Sequence, residues 1–338
     1  MSVSALADVS SFDREMVESF RNDRLHLILL PTEQCNFRCT YCYEDFAIGK
    51  MRPEVVTGVK RLIDRRGGDL AHLQISWFGG EPMLARSVVE EIASHASSVS
   101  TAGRLTYVSD MTTNGWLLDH SAAGRLADLG IRTFQVSLDG PAHCHDHTRL
   151  RADGRGTFDR IWGNLLSIRD SAVDVRVLLR IHVTPANLPS MPAFLHRVKD
   201  VFLADQRFVV ALKRVARLGG PGDASMDVLA GDDERLAALR EIVRGSLPEP
   251  VTFCYAARAN SLMVRADGRL GKCTVGMSEP RNTVGRLRPD GTLDIDQPRF
   301  RQWLQGWETG DQESTRCPYR ALGSRGLPVL QVGERPGA

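Results

Sequence analysis

Short apolar runs alternate with helical periodicity along the first two thirds of the chain. A lead-in helix over 12–21 is followed by strands over 25–30, 73–78, 105–111, 133–138, 175–183 and 208–212. Helices over 53–65, 87–98, 121–129, 158–169 and 190–202 separate them. Strands joined by helices of this length imply right-handed crossovers and a parallel sheet. Six such units are too few for a closed eight-fold barrel, so the pattern predicts an α/β fold, a partial (β/α)6 barrel of the TIM type open on one side.

Two strands alternate polar and apolar residues strictly. Thr133, Gln135, Ser137 and Asp139 share one face of the fourth, with Phe134, Val136 and Leu138 on the other. In the fifth, Arg176, Arg180 and His182 alternate with Val177, Leu179, Ile181 and Val183. With helices outside, the polar faces point into the lumen. There they meet a polar ligand or bond to one another between strands.

Past position 212 the rhythm breaks. Gly219-Gly220-Pro221-Gly222 reads as a linker, a capped helix covers 232–244, and Pro248 and Pro250 precede a smaller unit that begins near Val251. Its clearest element is a hairpin turning at Ala266-Asp267-Gly268, where Asp-Gly supplies the positive φ of a tight turn. The expected organisation is a lead-in over 1–22, the barrel over 23–215, a linker and bridging helix over 216–250, an auxiliary unit over 251–322 and a loosely ordered tail over 323–338.

Composition adds exclusions. The chain has 338 residues, 42% hydrophobic, with a formal net charge of +2, so no basic footprint points to nucleic acid or an anionic membrane. No apolar run is long enough to span a bilayer, and the acidic start lacks the features of a signal peptide. The expected location is the cytoplasm. Seven cysteines are too few for a disulfide framework, and three of them are crowded into one run.

That run is Cys35-Asn36-Phe37-Arg38-Cys39-Thr40-Tyr41-Cys42. A C-x-x-x-C-x-x-C spacing puts three thiolates on one loop. A 4Fe–4S cluster normally takes four Cys, so three leave one iron open to a small molecule. The alternative, a structural zinc site, wants a fourth Cys or His nearby, and the next His is His72.

The run resembles the signature of the radical S-adenosylmethionine (SAM) enzymes. In that superfamily the position of Tyr41 usually carries an aromatic whose backbone meets the adenine. Gly79-Gly80-Glu81-Pro82, after the second strand, resembles the GGEP element that contacts the methionine amino group. Thr113 and Asn114, within Thr112-Thr113-Asn114-Gly115, and Ser137 and Asp139, within Ser137-Leu138-Asp139-Gly140-Pro141, resemble further SAM-contacting segments. Either Arg180 or Arg149 fits the SAM carboxylate through its fork of donors. The stretch from His143 to Arg149 reads as a solvated loop. Cys144 within it is either a hydrogen-atom donor to a substrate radical or a chance cysteine.

Cys254, Gly268 and Cys273 fit the C-x(9–15)-G-x4-C opening of the SPASM and twitch domains that hold auxiliary Fe–S clusters in many of these enzymes. Only Cys317 follows, with Tyr319 and Arg320 where further cysteines belong. Two auxiliary clusters are excluded by counting. One cluster on Cys254, Cys273 and Cys317 is expected, or else a degenerate domain whose cysteines are buried hydrophobes or zinc ligands.

The resemblance implies that a one-electron donor of the flavodoxin or ferredoxin type reduces the cluster, which cleaves SAM to methionine and a 5′-deoxyadenosyl radical. Among members of the superfamily, the chain most resembles maturases of ribosomally made peptides, which install crosslinks or invert stereocentres in a precursor peptide. Only 34 residues precede Cys35, so leader-peptide recognition is expected from a separate protein. Side-chain oxidation of the sulfatase-maturase kind and radical chemistry on a small molecule remain open.

Overall fold

The computed structural model describes residues 10–220, 226–230, 233–246 and 253–324. Helix α1 (Ser11–Phe20) opens on Ser10, whose side chain accepts from the Asp13 N–H and caps the first turn. Then follow β1 (Arg24–Leu29), a short β2 (Phe37–Cys39), α2 (Pro53–Gly67), β3 (His72–Trp77), α3 (Arg86–Ala102), β4 (Thr106–Thr113), α4 (His120–Asp128) and β5 (Ile131–Leu138). After β5 come α5 (Ala142–Thr148), β6 (Arg149–Arg151), α6 (Phe158–Arg169), β7 (Arg176–Val183), α7 (Met191–Phe202) and β8 (Phe208–Arg214).

The six long strands lie side by side in the order β1-β3-β4-β5-β7-β8, every pair parallel. Helices pack their apolar stripes on the sheet. In α2, Val55, Val56, Val59, Leu62 and Ile63 recur at helical spacing and are all buried. Each fully buried side chain of this size contributes roughly 1.5–3 kcal/mol.

The lumenal polar faces divide by height. Low in the sheet His26 meets Ser76 at 2.9 Å, and Ser76 and Gln74 donate to Asp110 at 2.7 and 3.1 Å, so these groups satisfy one another between strands. Higher up, Gln135, Ser137, Arg180 and His182 line a cavity.

The remaining strands, β9 (Ser261–Val264), β10 (Arg269–Gly271), β11 (Gly285–Leu287) and β12 (Leu293–Ile295), form an antiparallel meander. The sequence sets this hairpin apart from the barrel; the structure joins the two. β9 pairs in parallel with β1, Leu27 opposite Leu262, giving one ten-stranded sheet. The reason is an edge: β1 is the first barrel strand, and an uncovered edge is a liability. All four residues of β9 are buried, so it needs cover on both faces. β8 has no outer partner among the described residues.

Helix α8 (Glu234–Ile242) begins on the Asp233 cap, and α9 (Gln297–Gln302), α10 (Gln305–Thr309), α11 (Gln312–Arg316) and α12 (Pro318–Ser324) follow β12. Pro221, Gly222, Pro248, Pro250, Val251 and most of the expected tail lie outside the described residues. No described helix is long and apolar enough to cross a membrane.

Candidate active site

Parallel strands bring all their C-terminal ends to one rim. The cysteine loop leaves β1 there, and a cavity of about 340 Å³ opens beneath it, lined by Cys35, Cys39, Cys42 and Tyr41 together with Gly79, Gly80, Thr113, Asn114, Ser137, Arg149 and Arg180. Eleven residues from six parts of the sequence thus meet in one space. Backbone amides point at the sulfurs: Phe37 N–H at Cys35 Sγ, 3.3 Å, and Glu44 N–H at Cys42. Burial pushes the thiols up, Cys35 to about 12 and Cys42 to about 11, and Cys39 in the same direction.

Two short elements that the sequence pattern did not reveal set the cavity wall. β2 pairs antiparallel with β6, which places Cys39 opposite Arg149. Arg149, 7% exposed, donates through Nη1 to Tyr41 Oη at 2.7 Å. Tyr41 donates to Asp139 Oδ1 at 2.9 Å, which also faces His182 Nδ1 at 3.1 Å, and Thr148 donates to Oδ2 at 2.6 Å. Arg180 Nε donates to His182 Nε2 at 3.0 Å. The donors assign the tautomer: His182 is neutral and carries its proton on Nδ1. Burial works against the Asp139 charge, yet the His182 hydrogen bond and the Arg149 charge hold its carboxyl well below the carboxylate range.

His145 corrects the reading of its stretch as a solvated loop. It lies in α5 with no exposed surface, accepts the Asp139 N–H at Nδ1 (3.2 Å), and meets Thr157 Oγ1 at 3.0 Å through Nε2. Phe158 packs edge-on against its ring, so a histidine among polar neighbours in sequence is sealed by an aromatic one in space. Cys144, on the same helix, does not line the cavity.

Gly79 sits at φ +110°, and a Cβ there would come 2.2 Å from the Thr32 carbonyl oxygen; at Gly80 it would come 2.5 Å from that of Gln34. Only glycine lets this turn lie against the start of the cysteine loop. Glu81, fully buried, and Pro82, buried, lie beside it, outside the cavity lining. The Glu81 carboxylate accepts from Thr113 Oγ1 (2.8 Å), Asn114 N (2.7 Å) and Met83 N (3.0 Å). In this structure it ties the turn after β3 to the one after β4.

The three later cysteines lie near one another. Cys254 N–H donates to Thr315 O at 3.0 Å, and Val275 N–H points at Cys273 Sγ at 3.4 Å. The Cys254 thiol is pushed up to about 11 by burial, with Cys273 and Cys317 close enough to add to the effect. Lys272, wholly buried, donates to the Arg258 and Ser261 carbonyls and fastens this loop to β9.

A second cavity of about 460 Å³ adjoins the first, sharing Tyr43, Glu44 and Leu218 as walls. Burial, with Glu33 and Asp45 nearby, pushes Glu44 up to about 8. Neither Tyr43 nor Glu44 stands out in the sequence, since both simply follow the third cysteine. His182 belongs to a polar face visible there, though nothing in the alternation singles it out.

The first cavity fits an Fe–S cluster and an anionic ligand beside it. Three thiols, two of them with backbone amides aimed at their sulfurs, suit a cluster, and Arg149 Nε is buried without a partner among the described residues. Residues 29–197, half of the chain, match the Radical SAM superfamily. The chain belongs to that superfamily, whose enzymes use a 4Fe–4S cluster and SAM.

Among curated relatives, the GTP 3′,8-cyclase of Photorhabdus laumondii is 30% identical over 193 residues, 55% of either chain. The cysteine-type anaerobic sulfatase-maturating enzyme of Clostridium perfringens is 31% identical over 147 residues, 40% of this chain and 39% of that one. The chain spans about half the length of these relatives or less. Among solved structures, native anSMEcpe with bound AdoMet and Cp18Cys peptide superposes with a TM-score of 0.62 at 20% identity, over 82% of this chain and 80% of the other. Streptococcus suis SuiB bound to precursor peptide SuiA gives 0.57 at 13%, over 94% and 70%. At these identities the likeness is one of fold.

Proposed function

We propose that this protein is a radical SAM enzyme that modifies a peptide, forming a crosslink (carbon–carbon, carbon–oxygen or thioether) or inverting a stereocentre. Cys35, Cys39 and Cys42 hold the SAM cluster. When bound, cluster and SAM supply reductive cleavage and hydrogen-atom abstraction at an unactivated C–H bond. The chain's own groups bind and orient. Arg149 presents its free Nε, and Arg180 its remaining donors, to the SAM carboxylate. Asp139, Tyr41 and His182 hold both guanidiniums in place, while Gly79 and Gly80 give backbone access. Cys254, Cys273 and Cys317 hold one auxiliary cluster.

The observation that carries the peptide assignment is the second cavity, which adjoins the first and shares Tyr43, Glu44 and Leu218 with it. It leaves space beyond a cofactor-sized ligand, and β8, with no outer strand partner among the described residues, offers an edge to which an extended chain can add. Support also comes from the fold likeness, which covers most of this chain, to structures that contain peptides. The cyclase relatives raise a nucleotide as the second reading. Against it, the second cavity bears Glu33, Glu44, Asp45 and Glu279 but one guanidinium, Arg265, a poor wall for a triphosphate.

The test is co-expression with precursor peptides encoded beside the gene. A mass loss of two hydrogens marks a crosslink, and deuterium uptake from solvent marks epimerisation. Turnover of GTP or another small metabolite with every peptide unmodified overturns the peptide assignment.

A further inference from the structure

We infer that the Glu44 carboxylate recognises a cationic group of the substrate, an ammonium or guanidinium, where the two cavities meet. This deepens the peptide reading and rests on it for the nature of the chain that carries the cation.

The inference comes from accounting for every acid in the wall of the second cavity. Glu33 is clasped by Arg265, Nε to Oε1 at 3.1 Å, and Arg265 spends its Nη1 on the Met277 carbonyl at 2.8 Å. Glu279 pairs with Arg281 and accepts the Tyr319 hydroxyl at 2.5 Å. Asp45 accepts from Ala47 N at 3.0 Å and Ser278 Oγ at 3.2 Å. Glu44 alone is left over. Its Oε2 is buried with no partner among the described residues, and no described group donates to its other oxygen.

A buried carboxyl oxygen with no donor is unfavourable whether or not the group is ionised, and a cation brought by a ligand would supply both the donor and the charge that favours the carboxylate. The first cavity's cations bond to other groups and none bonds to Glu44: Arg149 Nη1 donates to Tyr41, Arg180 Nε to His182, and Arg214 Nη1 to the Leu229 carbonyl at 3.0 Å. Arg265, in the second, is committed to Glu33. A positive group reaching through the second cavity toward the cysteine loop meets Glu44 at the boundary, and a charge-assisted hydrogen bond there fixes how far the substrate enters.

The test uses the anaerobically reconstituted, SAM-saturated protein without reductant, so that nothing turns over. Calorimetric titration compares Nα-acetyl-lysine amide and Nα-acetyl-arginine amide with Nα-acetyl-norleucine amide, which matches lysine in length without the charge. The expected result is that one cationic probe binds about tenfold tighter than norleucine amide, a charge-assisted contact's worth. In Glu44→Gln the preference disappears while the SAM dissociation constant changes less than twofold. No preference in the wild type overturns the inference, and this arm needs no variant to fold. Persistence of the preference in Glu44→Gln overturns it too, as does an equal loss of SAM affinity, which would make Glu44 a cofactor contact. Failure of the peptide reading is seen separately, in small-molecule turnover with peptides untouched, and leaves the cation measurement standing.

Discussion

Tyr41 and Asp139, 98 positions apart, meet through a 2.9 Å hydrogen bond that ties the cysteine loop to the end of β5. The phenol also receives Arg149, and the carboxylate also takes Thr148 and His182. One buried acid therefore anchors the loop on one side and two guanidiniums, through their partners, on the other.

Removing that acid leaves its cationic and donor partners unbalanced in a buried place. Asp139→Asn is expected to destabilise the fold by about 3–5 kcal/mol, the usual effect of breaking a buried charge pair from one side. Tyr41→Phe loses hydrogen bonds but no charge and is expected to cost about 1–2 kcal/mol. Anaerobic denaturant titrations of the two variants check the order; Tyr41→Phe proving the more damaging would refute the role of Asp139 as anchor.

Acid sensitivity follows from the buried histidines. Burial, with Arg149 nearby, lowers His145 to about 4, and burial, with Arg258 nearby, lowers His26 to about 3, both from an unfolded value near 6.5. Between these limits the unfolded chain binds protons that the folded chain refuses, so stability falls as pH falls. Each histidine removes about 2 kcal/mol by pH 5 and nothing above about pH 7.5. Asp139 adds its own loss only at lower pH, since its depressed carboxyl contributes stability above about 3.9 and loses it as pH falls further. Denaturant midpoints at pH 7.5 and 5.0 measure the difference, and His145→Gln should make the change from pH 7.5 to 5.0 less unfavourable by about 2 kcal/mol than in the wild type. An unchanged pH difference in that variant would show His145 to be protonated in the folded state.

The SAM cluster should need all three loop thiols. Cys35→Ala, Cys39→Ala and Cys42→Ala are each expected to abolish 5′-deoxyadenosine formation after reconstitution, because a cubane missing one of three ligands is not held. Wild-type product formation by the triple variant would exclude this loop as the ligand set.

Iron content separates the two cysteine groups. Changing Cys254, Cys273 and Cys317 together to Ala should remove about half of the iron and sulfide of the reconstituted protein. Retention of the full amount would mean that these thiols are structural.

Gly79→Ala tests the close approach of the turn after β3. The added methyl meets a backbone oxygen 2.2 Å away, at a φ that alanine rarely adopts. A loss of at least about 2 kcal/mol is expected, together with weaker SAM binding in equilibrium dialysis. An unperturbed variant would mean that the loop can move aside at little cost.

Much of this protein is written locally. Apolar periodicity placed the six long strands and the helices between them within four residues at every end, because burial on one helical stripe or one strand face leaves a repeat in the chain. The cysteine spacing and the Gly-Gly turn were legible for the same reason: their chemistry lies within a few neighbouring residues. What depends on distant partners was hidden. The parallel pairing of β9 with β1 carries no local mark, since hairpin residues describe only their own turn. The β2–β6 pair that sets Arg149 against Cys39 is three residues long, too short for a period. His145 read as solvated because its neighbours in sequence are polar, whereas its neighbours in space are Phe158, Thr157 and the Asp139 amide. Glu81, visible as part of a motif, had its role decided by which backbone amides came within reach. Glu44 lacks any signal at all, for a missing partner shows only after every other acid has found one. Sequence alone determined which chemical groups the protein owns and the order of its elements; tertiary structure decided which groups face one another, because burial and hydrogen bonding are settled between residues that the chain keeps far apart.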